Sequence, residues 1–283
     1  MQTIMVFDLE TIPDVRLGRR LLDLPKEGER AGTGTGPYIG TGGEGEASDK
    51  AVREALNARR LEQTQGNSSF LPHYLHQIVA ISVVVVTPSW VKVWSLGEKT
   101  STEKKLIERF FEGVEKYTPL LVSWNGGGFD LPVLHYRALH HGVVSARYWE
   151  NGEFDTDFKW NNYLSRYHTR HTDLMEVLAS YQTRAYAPLN EIALLLGLPG
   201  KMGMAGDKVA ERYELGELEE IRNYCETDVL NTYLIFLRFQ FIRGRLNQAE
   251  LLREEERLKT YLLNSAKPHL NAFLEAYANE IKD

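Results

Sequence analysis

The chain has 283 residues, a hydrophobic fraction of 43% and a formal net charge of -6. This size and composition fit one large α/β domain with appendages, and the negative charge excludes a uniformly basic nucleic-acid-binding surface, so nucleic-acid binding would need local patches or metal ions. The single cysteine, Cys225, excludes an internal disulfide and a cysteine-rich metal site, and it fits a reducing compartment, for which we expect the cytoplasm.

The N-terminus lacks the basic segment and the cleavable apolar stretch of a signal peptide. The longest apolar run, at 78–86, is much shorter than the roughly 20 residues needed to span a bilayer. We therefore expect no membrane partner.

The first predicted strand covers residues 3–9 and is apolar on both faces, which is typical of a central strand with helices on both sides. Ile4 and Val6 lie on one face, and Asp8 and Glu10 share that face because side chains alternate with period two. Pro13 ends the strand. Both carboxylates should therefore emerge at its carboxyl end.

Residues 31–46 are rich in Gly and Thr and nearly free of aliphatic side chains, which predicts a mobile insert over about 28–50. A phosphate-binding loop is the weaker interpretation, because no strand leads directly into the glycines and no GK[ST] follows them.

The remaining pattern predicts a hairpin, short strands and several helices, which together indicate an α/β domain over 1–245 with a helical extension over 246–283. The predicted elements are strands at 76–87 and 90–96, a helix at 101–117, a strand at 119–124, a helix from Leu131, an irregular segment at 150–170, a short strand and helix at "HTDL", a helix at "LNEIALLLG", a helix at 216–243, and two helices at 247–282 broken before Pro268. In the last helix, a helical stripe should pack on the domain: Leu270, Phe273, Leu274, Tyr277 and Ile281.

Acidic residues occur in three segments that are far apart in sequence. Asp8 and Glu10 end a strand, Asp130 follows the turn "NGGGF", and Asp228 lies four residues after Tyr224 on a predicted helix, so these two side chains project from one face. If the fold brings the segments together, four carboxylates and a phenol converge. Such a cluster needs cations, and oxygen ligands favour a pair of Mg²⁺ or Mn²⁺ ions about 3.5 to 4 Å apart, as used in phosphoryl displacement.

Each of these residues also has a simpler interpretation when it is taken alone. Asp8 and Glu10 could be solvated acids at a strand end, Asp130 could cap the helix that contains Pro132, and Asp228 could be an exposed acid. Their joint occurrence favours a metal site. Cys225 is expected to face elsewhere on the helix and to pack in the core.

Three motifs occur in order along the chain: "FDLET" with Asp8 and Glu10, "NGGGFDLPVL" with Asn125, Phe129 and Asp130, and "YCETD" with Tyr224 and Asp228. They resemble the exonuclease motifs of the DEDD superfamily, tyrosine subclass. The sequences of the three motifs are most similar to those of the proofreading exonuclease domain of B-family DNA polymerases and of a bacterial family of predicted stand-alone exonucleases related to it. "HTDLM" at 171–175 also resembles that group, and the resemblance covers residues 1 to about 245.

The resemblance implies a ribonuclease-H-like fold and 3′-to-5′ removal of nucleotides from a single-stranded end, with DNA favoured over RNA. It implies two divalent ions, Mg²⁺ or Mn²⁺, and a water positioned by Tyr224. The implied metal ligands are Asp8, Glu10, Asp130 and Asp228. Thr11, Asn125 and Phe129 would contact or shape the substrate channel, and replication or repair proteins would be partners.

The segment "WNNYLSRYHTRH" at 160–171 interleaves aromatic and basic residues, as single-strand grooves do, although a half-buried surface loop fits equally well. We expect Arg166 and Arg170 to bind substrate. A zinc cluster of His168, His171 and Asp173 is disfavoured because no cysteine or HExxH pattern accompanies it. The histidines of the helix from Leu131 are expected on its surface near the catalytic mouth: His135, His140 and His141.

Two other functions stay open at this point. The chain could be a non-catalytic nucleic-acid-binding or polymerase-associated module on the same fold, although such a module has no physical need for a repulsive acidic cluster. It could also be a phosphohydrolase of small nucleotides, which an open groove disfavours.

Overall fold

The computed structural model describes residues 2–23 and 47–280. Most of the predicted insert at about 28–50 lies outside the described residues, and its last two residues, Asp49 and Lys50, begin a helix. Within the described chain, none of the helices combines the length and the apolar character needed to cross a bilayer.

Strands and helices are interspersed up to Asp173, and the described elements after that residue are helices. The strands are β1 Ile4–Pro13, β2 His76–Val86, β3 Val91–Ser95, β4 Leu120–Ser123 and β5 His171–Asp173. The helices are α1 Val15–Leu21, α2 Asp49–Gln63, α3 Glu103–Tyr117, α4 Asp130–His141, α5 Ala146–Trp149, α6 Leu174–Leu178, α7 Leu189–Leu195, α8 Val209–Glu214, α9 Leu218–Ile242, α10 Gln248–Leu263 and α11 Pro268–Glu280.

The structure divides into two compact units, residues 1–10 with 78–283 and residues 11–77. In the smaller unit, α1 and α2 enclose an apolar cluster that includes Val52 and Leu56. A Cβ atom at Gly18 would lie only 2.7 Å from Leu56 Cδ1, so the two helices approach closely because this residue is a glycine. Thr11 also belongs to this unit, where its hydroxyl hydrogen-bonds His76 Nδ1 at 2.9 Å.

The five strands form one mixed sheet in the order β3-β2-β1-β4-β5. β2 and β3 pair in antiparallel register, which confirms the predicted hairpin, and β4 runs parallel to both β1 and β5. β1 is therefore central, with Ile4 opposite Leu120 and Val6 opposite Val122 on β4. The carboxyl ends of β1, β4 and β5 consequently lie along one edge of the sheet.

Both faces of the sheet are covered, as the apolar pattern of β1 predicts. Ile4 and Val6 join a core with α9, α10 and α11, whereas Met5 and Phe7 join a second core with α3 and α4. The predicted α/β class is thus confirmed, and a mixed sheet flanked by helices is the arrangement of a ribonuclease-H-like domain.

The C-terminal helices complete the α9 side of this core. The side chains of Leu270, Phe273 and Tyr277 are fully buried there. Ahead of them, Lys267 Nζ and His269 Nε2 lie 2.7 and 2.8 Å from the carboxylate of Glu226. Glu226 therefore ties the start of α11 to the helix that carries Tyr224.

Candidate active site

A direct hydrogen bond joins the middle of β1 to the start of α4. β1 continues to Pro13, so Asp8 and Glu10 lie within the strand and not at its carboxyl end, where the sequence predicted them. Asp130 Oδ1 accepts from the backbone N–H of Leu9 at 2.9 Å, between Asp8 and Glu10. Asp130 and Glu10 are buried, with 4% and 7% of their surfaces exposed. The first two acidic segments therefore meet, as the sequence predicts.

The third segment arrives on α9, where Tyr224 and Asp228 are both buried. They are spaced i, i+4, so their side chains project from the same side of α9. Burial and, after it, the charges of neighbouring carboxylates raise the pKa of Asp8 and Glu10, and Asp228 is one of these neighbours for both. The structure thus brings together the five residues proposed from the sequence.

Cys225 corrects one expectation. The thiol does not face away from the cluster, because Cys225 Sγ donates to Asp8 Oδ2 at 3.4 Å and lies 3.5 Å from the Asp8 carbonyl oxygen. The side chain is fully buried. Residues 225 and 228 are spaced i, i+3 on α9, so the thiol lies on the same side of the helix as Asp228.

Burial raises the pKa of every carboxyl group in the cluster, and repulsion from neighbouring carboxylates of the cluster adds to this rise for Asp8 and Glu10. Burial is the largest cause for each one, followed for Asp8 by the charge of Asp130 and for Glu10 by the charge of Asp8. The pKa of Asp130 rises to about 7 and that of Asp228 to about 6. Without a cation, the cluster therefore resists full ionisation near neutral pH.

The donor set fits divalent metal ions. One carboxylate oxygen each from Asp8 and Glu10 lies within 4.8 Å of the other and of Cys225 Sγ. Asp228 Oδ1 is buried and, among the described residues, has no hydrogen-bond partner. A buried, unpartnered carboxylate oxygen is costly, and a cation would satisfy it. Hard oxygen donors of this kind suit Mg²⁺ or Mn²⁺.

Asp173 holds the turn that leads to Asp130. Its Oδ1 accepts from the Asn125 N–H at 2.9 Å and its Oδ2 accepts from the Gly127 N–H at 2.8 Å. A Cβ atom at Gly126 would lie 2.3 Å from Ser123 Oγ, so the turn requires glycine there. Asn125 adopts a left-handed φ of 63° and its carbonyl accepts from Gly128 and Phe129.

Replacement of Asp173 by alanine is expected to lower the free energy of unfolding by about 1 to 3 kcal/mol, because two backbone N–H groups of the turn lose their acceptor. Chemical denaturation measures this loss. Asp157→Ala is the matched control, since that side chain is exposed. Equal stability of both variants would contradict the proposed role.

Lys201 is a residue of this site that the sequence analysis missed. Its ammonium lies 5.9 Å from the centre of the Tyr224 ring, and its charge lowers the pKa of Asp8, Glu10 and Asp228. Asn231 on α9 holds the loop before Lys201. Its side-chain oxygen accepts a hydrogen bond from the Gly200 N–H, and its side-chain nitrogen donates one to the Gly200 carbonyl. The only local signal is a glycine-lysine pair after α7, which is not diagnostic.

The positions of the three histidines of α4 agree only in part with the prediction of surface residues near the catalytic mouth. His135 is not a surface residue: its ring packs on Trp149 and hydrogen-bonds the Tyr148 hydroxyl, and burial lowers its pKa to about 4. His141 Nε2 lies 2.7 Å from the buried carboxylate of Glu103, whereas His140 is exposed. The three belong to the packing and surface of α4.

Each of the three residues of the disfavoured zinc cluster has its own hydrogen-bond partners. His171 Nε2 hydrogen-bonds Ser123 Oγ at 2.8 Å in the core, and His168 Nδ1 accepts from the Asn162 N–H at 3.0 Å. Asp173 holds the turn described above. These contacts account for each side chain without a shared ligand.

The aromatic and basic segment is partly structural and partly exposed. Arg170 stacks over the Phe158 ring at 3.7 Å and donates to the Asn161 carbonyl, so it is built into the loop. Arg166 is half exposed, pairs with Glu176 at 2.5 Å and lies near the ring of Tyr167. Phe129 packs partly against the core beside α4.

Comparison with known proteins places this geometry in a family context. A family model described as a predicted 3′-to-5′ exonuclease related to the exonuclease domain of PolB matches residues 68–277. The match includes Asp130, Tyr224 and Asp228 and begins after β1. The chain is also 28% identical to DNA polymerase 1 of Sulfurisphaera ohwakuensis over 134 residues, which cover 46% of this chain and 14% of the polymerase. The chain therefore spans a small part of that relative.

Proposed function

The chain belongs to the family of predicted 3′-to-5′ exonucleases related to the exonuclease domain of PolB, and from this premise we propose a metal-dependent 3′-to-5′ exonuclease acting on single-stranded nucleic acid, with DNA favoured. The observation that carries the proposal is the convergence of four carboxylates beside Tyr224. Three of them, Glu10, Asp130 and Asp228, are buried, and Asp228 has an oxygen without a hydrogen-bond partner among the described residues. A location in the cytoplasm and contacts with replication or repair proteins belong to the same proposal.

Asp8, Glu10, Asp130 and Asp228 would hold two divalent ions, Mg²⁺ or Mn²⁺. Bound there, such ions supply charge stabilisation and an activated water for phosphodiester hydrolysis. The scissile bond would be the one between the terminal phosphorus and the 3′ oxygen of the preceding nucleotide, so each cycle would release a nucleoside 5′-monophosphate.

The chain's own groups would orient the reactants. Tyr224 lies one helical turn before Asp228 on α9. Burial and nearby carboxylates raise the pKa of Tyr224, which keeps the phenol protonated as a hydrogen-bond donor. Lys201, beside that ring, would offset part of the substrate's negative charge. The site would therefore act by positioning and electrostatics.

Replacement of Tyr224 by phenylalanine is expected to lower kcat about 10- to 100-fold, because the attacking water loses its orienting hydroxyl while the ring still packs. Single-turnover hydrolysis of a labelled oligonucleotide measures this change. KM should move little. A variant with the wild-type rate would contradict the positioning role.

Arg166 and its neighbours form the best candidate for strand contact. Trp160 and Tyr167 are 78% and 71% exposed, which leaves both rings available for base stacking, and the Arg166 guanidinium lies near Tyr167 and Tyr181. Thr11, Asn125, Phe129 and Arg170 remain proposed contacts with substrate.

Replacement of Arg166 by alanine is expected to weaken single-strand binding about 3- to 10-fold, because one exposed cation near the strand is lost. Fluorescence anisotropy of a labelled oligonucleotide in Ca²⁺ measures the affinity. Arg109→Ala, on the exposed side of α3, serves as the control. If both variants bind as the wild type does, Arg166 does not contact the strand.

The proposal is tested by incubating the protein with single-stranded DNA, single-stranded RNA, duplex DNA and nucleoside triphosphates in Mg²⁺ or Mn²⁺, with a chelator control. Consumption of the single strands alone is the expected result. Binding of strands without hydrolysis would instead identify a binding module, and consumption of triphosphates alone would identify a nucleotide phosphohydrolase.

A further inference from the structure

Cys225 lies inside the carboxylate cluster, although the proposed reaction does not require a thiol. Its sulfur is 3.4 Å from Asp8 Oδ2 and within 4.8 Å of a Glu10 carboxylate oxygen. This is a mixed donor set of two carboxylates and one soft sulfur.

The spacing of these atoms suits one four-coordinate ion. With a metal-sulfur bond of about 2.3 Å and a metal-oxygen bond of about 2.0 to 2.2 Å, a tetrahedral ion separates the two donors by about 3.5 Å. The observed separation of Sγ and Asp8 Oδ2 is 3.4 Å. No large movement of either side chain is therefore needed.

A second observation comes from Asp228, whose buried Oδ1 is unpartnered among the described residues. Asp228 lies one turn after Cys225 on the same side of α9, and its charge adds to the rise in the pKa of Asp8 and Glu10 that burial causes. Lys201, Asp130 and the Tyr224 hydroxyl are the other polar groups that face the cluster.

We propose that Cys225 makes this site a high-affinity position for a thiophilic divalent ion, Zn²⁺ or Cd²⁺, which excludes Mg²⁺ and blocks the nuclease. Binding forms a metal-sulfur bond and releases the thiol proton to solvent, with no change of oxidation state. Sulfur ligands select such ions over Mg²⁺, and Zn²⁺ also exceeds Mn²⁺ in affinity for a given site. The inference rests on the proposed function because it takes the same carboxylates as metal ligands.

Because the chain has a single cysteine, sulfur-to-metal charge transfer in the near ultraviolet can come from Cys225 alone. Titration of the metal-free protein with Cd²⁺ is expected to give this absorption with a stoichiometric endpoint. Cys225→Ser should show none, and its Cd²⁺ affinity by calorimetry should fall at least about 10-fold. Far-ultraviolet circular dichroism verifies that both proteins stay folded.

A second experiment measures the inhibition of Mg²⁺-dependent hydrolysis by Zn²⁺. The Zn²⁺ concentration that halves each protein's own rate should rise at least about 10-fold in Cys225→Ser, because the variant loses the soft ligand. Calorimetric Cd²⁺ binding without charge transfer, or no Cd²⁺ binding at all, would overturn the inference even if the nuclease is active. Charge transfer in a protein that hydrolyses no strand would support it while the proposed function fails.

Discussion

Replacement of Asp8 by asparagine is expected to lower the rate of 3′-end hydrolysis at least about 10³-fold, which corresponds to about 4 kcal/mol of transition-state stabilisation. Asp8 carries this effect because its carboxylate lies in the cluster, with one oxygen within 4.8 Å of a Glu10 oxygen. Burial and, after it, the charges of Asp130 and Asp228 raise the pKa of Asp8. An asparagine keeps the size of the side chain and removes the anionic ligand.

Single-turnover hydrolysis in saturating Mg²⁺ measures the Asp8→Asn rate, and anisotropy in Ca²⁺ verifies that the strand is still bound. Asp157→Asn is the matched control, since this acid is exposed. A residual Asp8→Asn rate within tenfold of the wild type would remove Asp8 from the proposed metal ligands.

Asp228→Asn is expected to stabilise the metal-free protein. Its free energy of unfolding should rise by about 1 to 3 kcal/mol at pH 8. The cause is burial, which raises the pKa of Asp228 from the ordinary 3.8 to about 6. An acid that ionises near pH 4 when unfolded and near pH 6 when folded binds more protons in the native state between those values. Stability therefore falls as pH rises through that window, and the asparagine variant lacks this fall.

Denaturant unfolding of both proteins with chelator, at pH 4.5 and at pH 8, measures the difference. The variant's advantage should be largest at pH 8 and smaller at pH 4.5. Mg²⁺ should reverse the order, because a ligand at 100 times its dissociation constant stabilises the wild type by about 2.7 kcal/mol and binds the variant less tightly. A variant that is less stable than the wild type without metal would show that burial of the ionised Asp228 carboxylate does not destabilise the protein.

Local sequence pattern was sufficient for the elements that build the main sheet. β1, β2 and β4 are continuous apolar runs, and such runs indicate strands covered on both faces, which the two cores flanking Ile4 and Met5 confirm. The sequence also predicted α3, from its helical periodicity, and the break before Pro268, from the restriction that proline imposes on the helix backbone.

Local sequence pattern could not predict the features that depend on long-range contacts. α2 escaped notice because its sequence is largely polar, and only Val52 and Leu56 are buried. Lys201 reaches the cluster through the hydrogen bonds between Gly200 and Asn231, thirty-one residues away. The i, i+4 spacing of Tyr224 and Asp228 predicts their common face, whereas Cys225 reaches the cluster through its i, i+3 spacing to Asp228.

The most direct test of the account follows one single-stranded DNA labelled at its 5′ end and the same strand labelled at its 3′ end, both in Mg²⁺ with the wild-type protein. Removal of nucleotides from the 3′ end predicts a ladder of shortening 5′-labelled strands, and release of the 3′ label as a mononucleotide in the first turnover. Both signals should vanish with chelator. Internal cleavage, or release of the 5′ label first, would contradict a 3′-to-5′ exonuclease built on this carboxylate cluster.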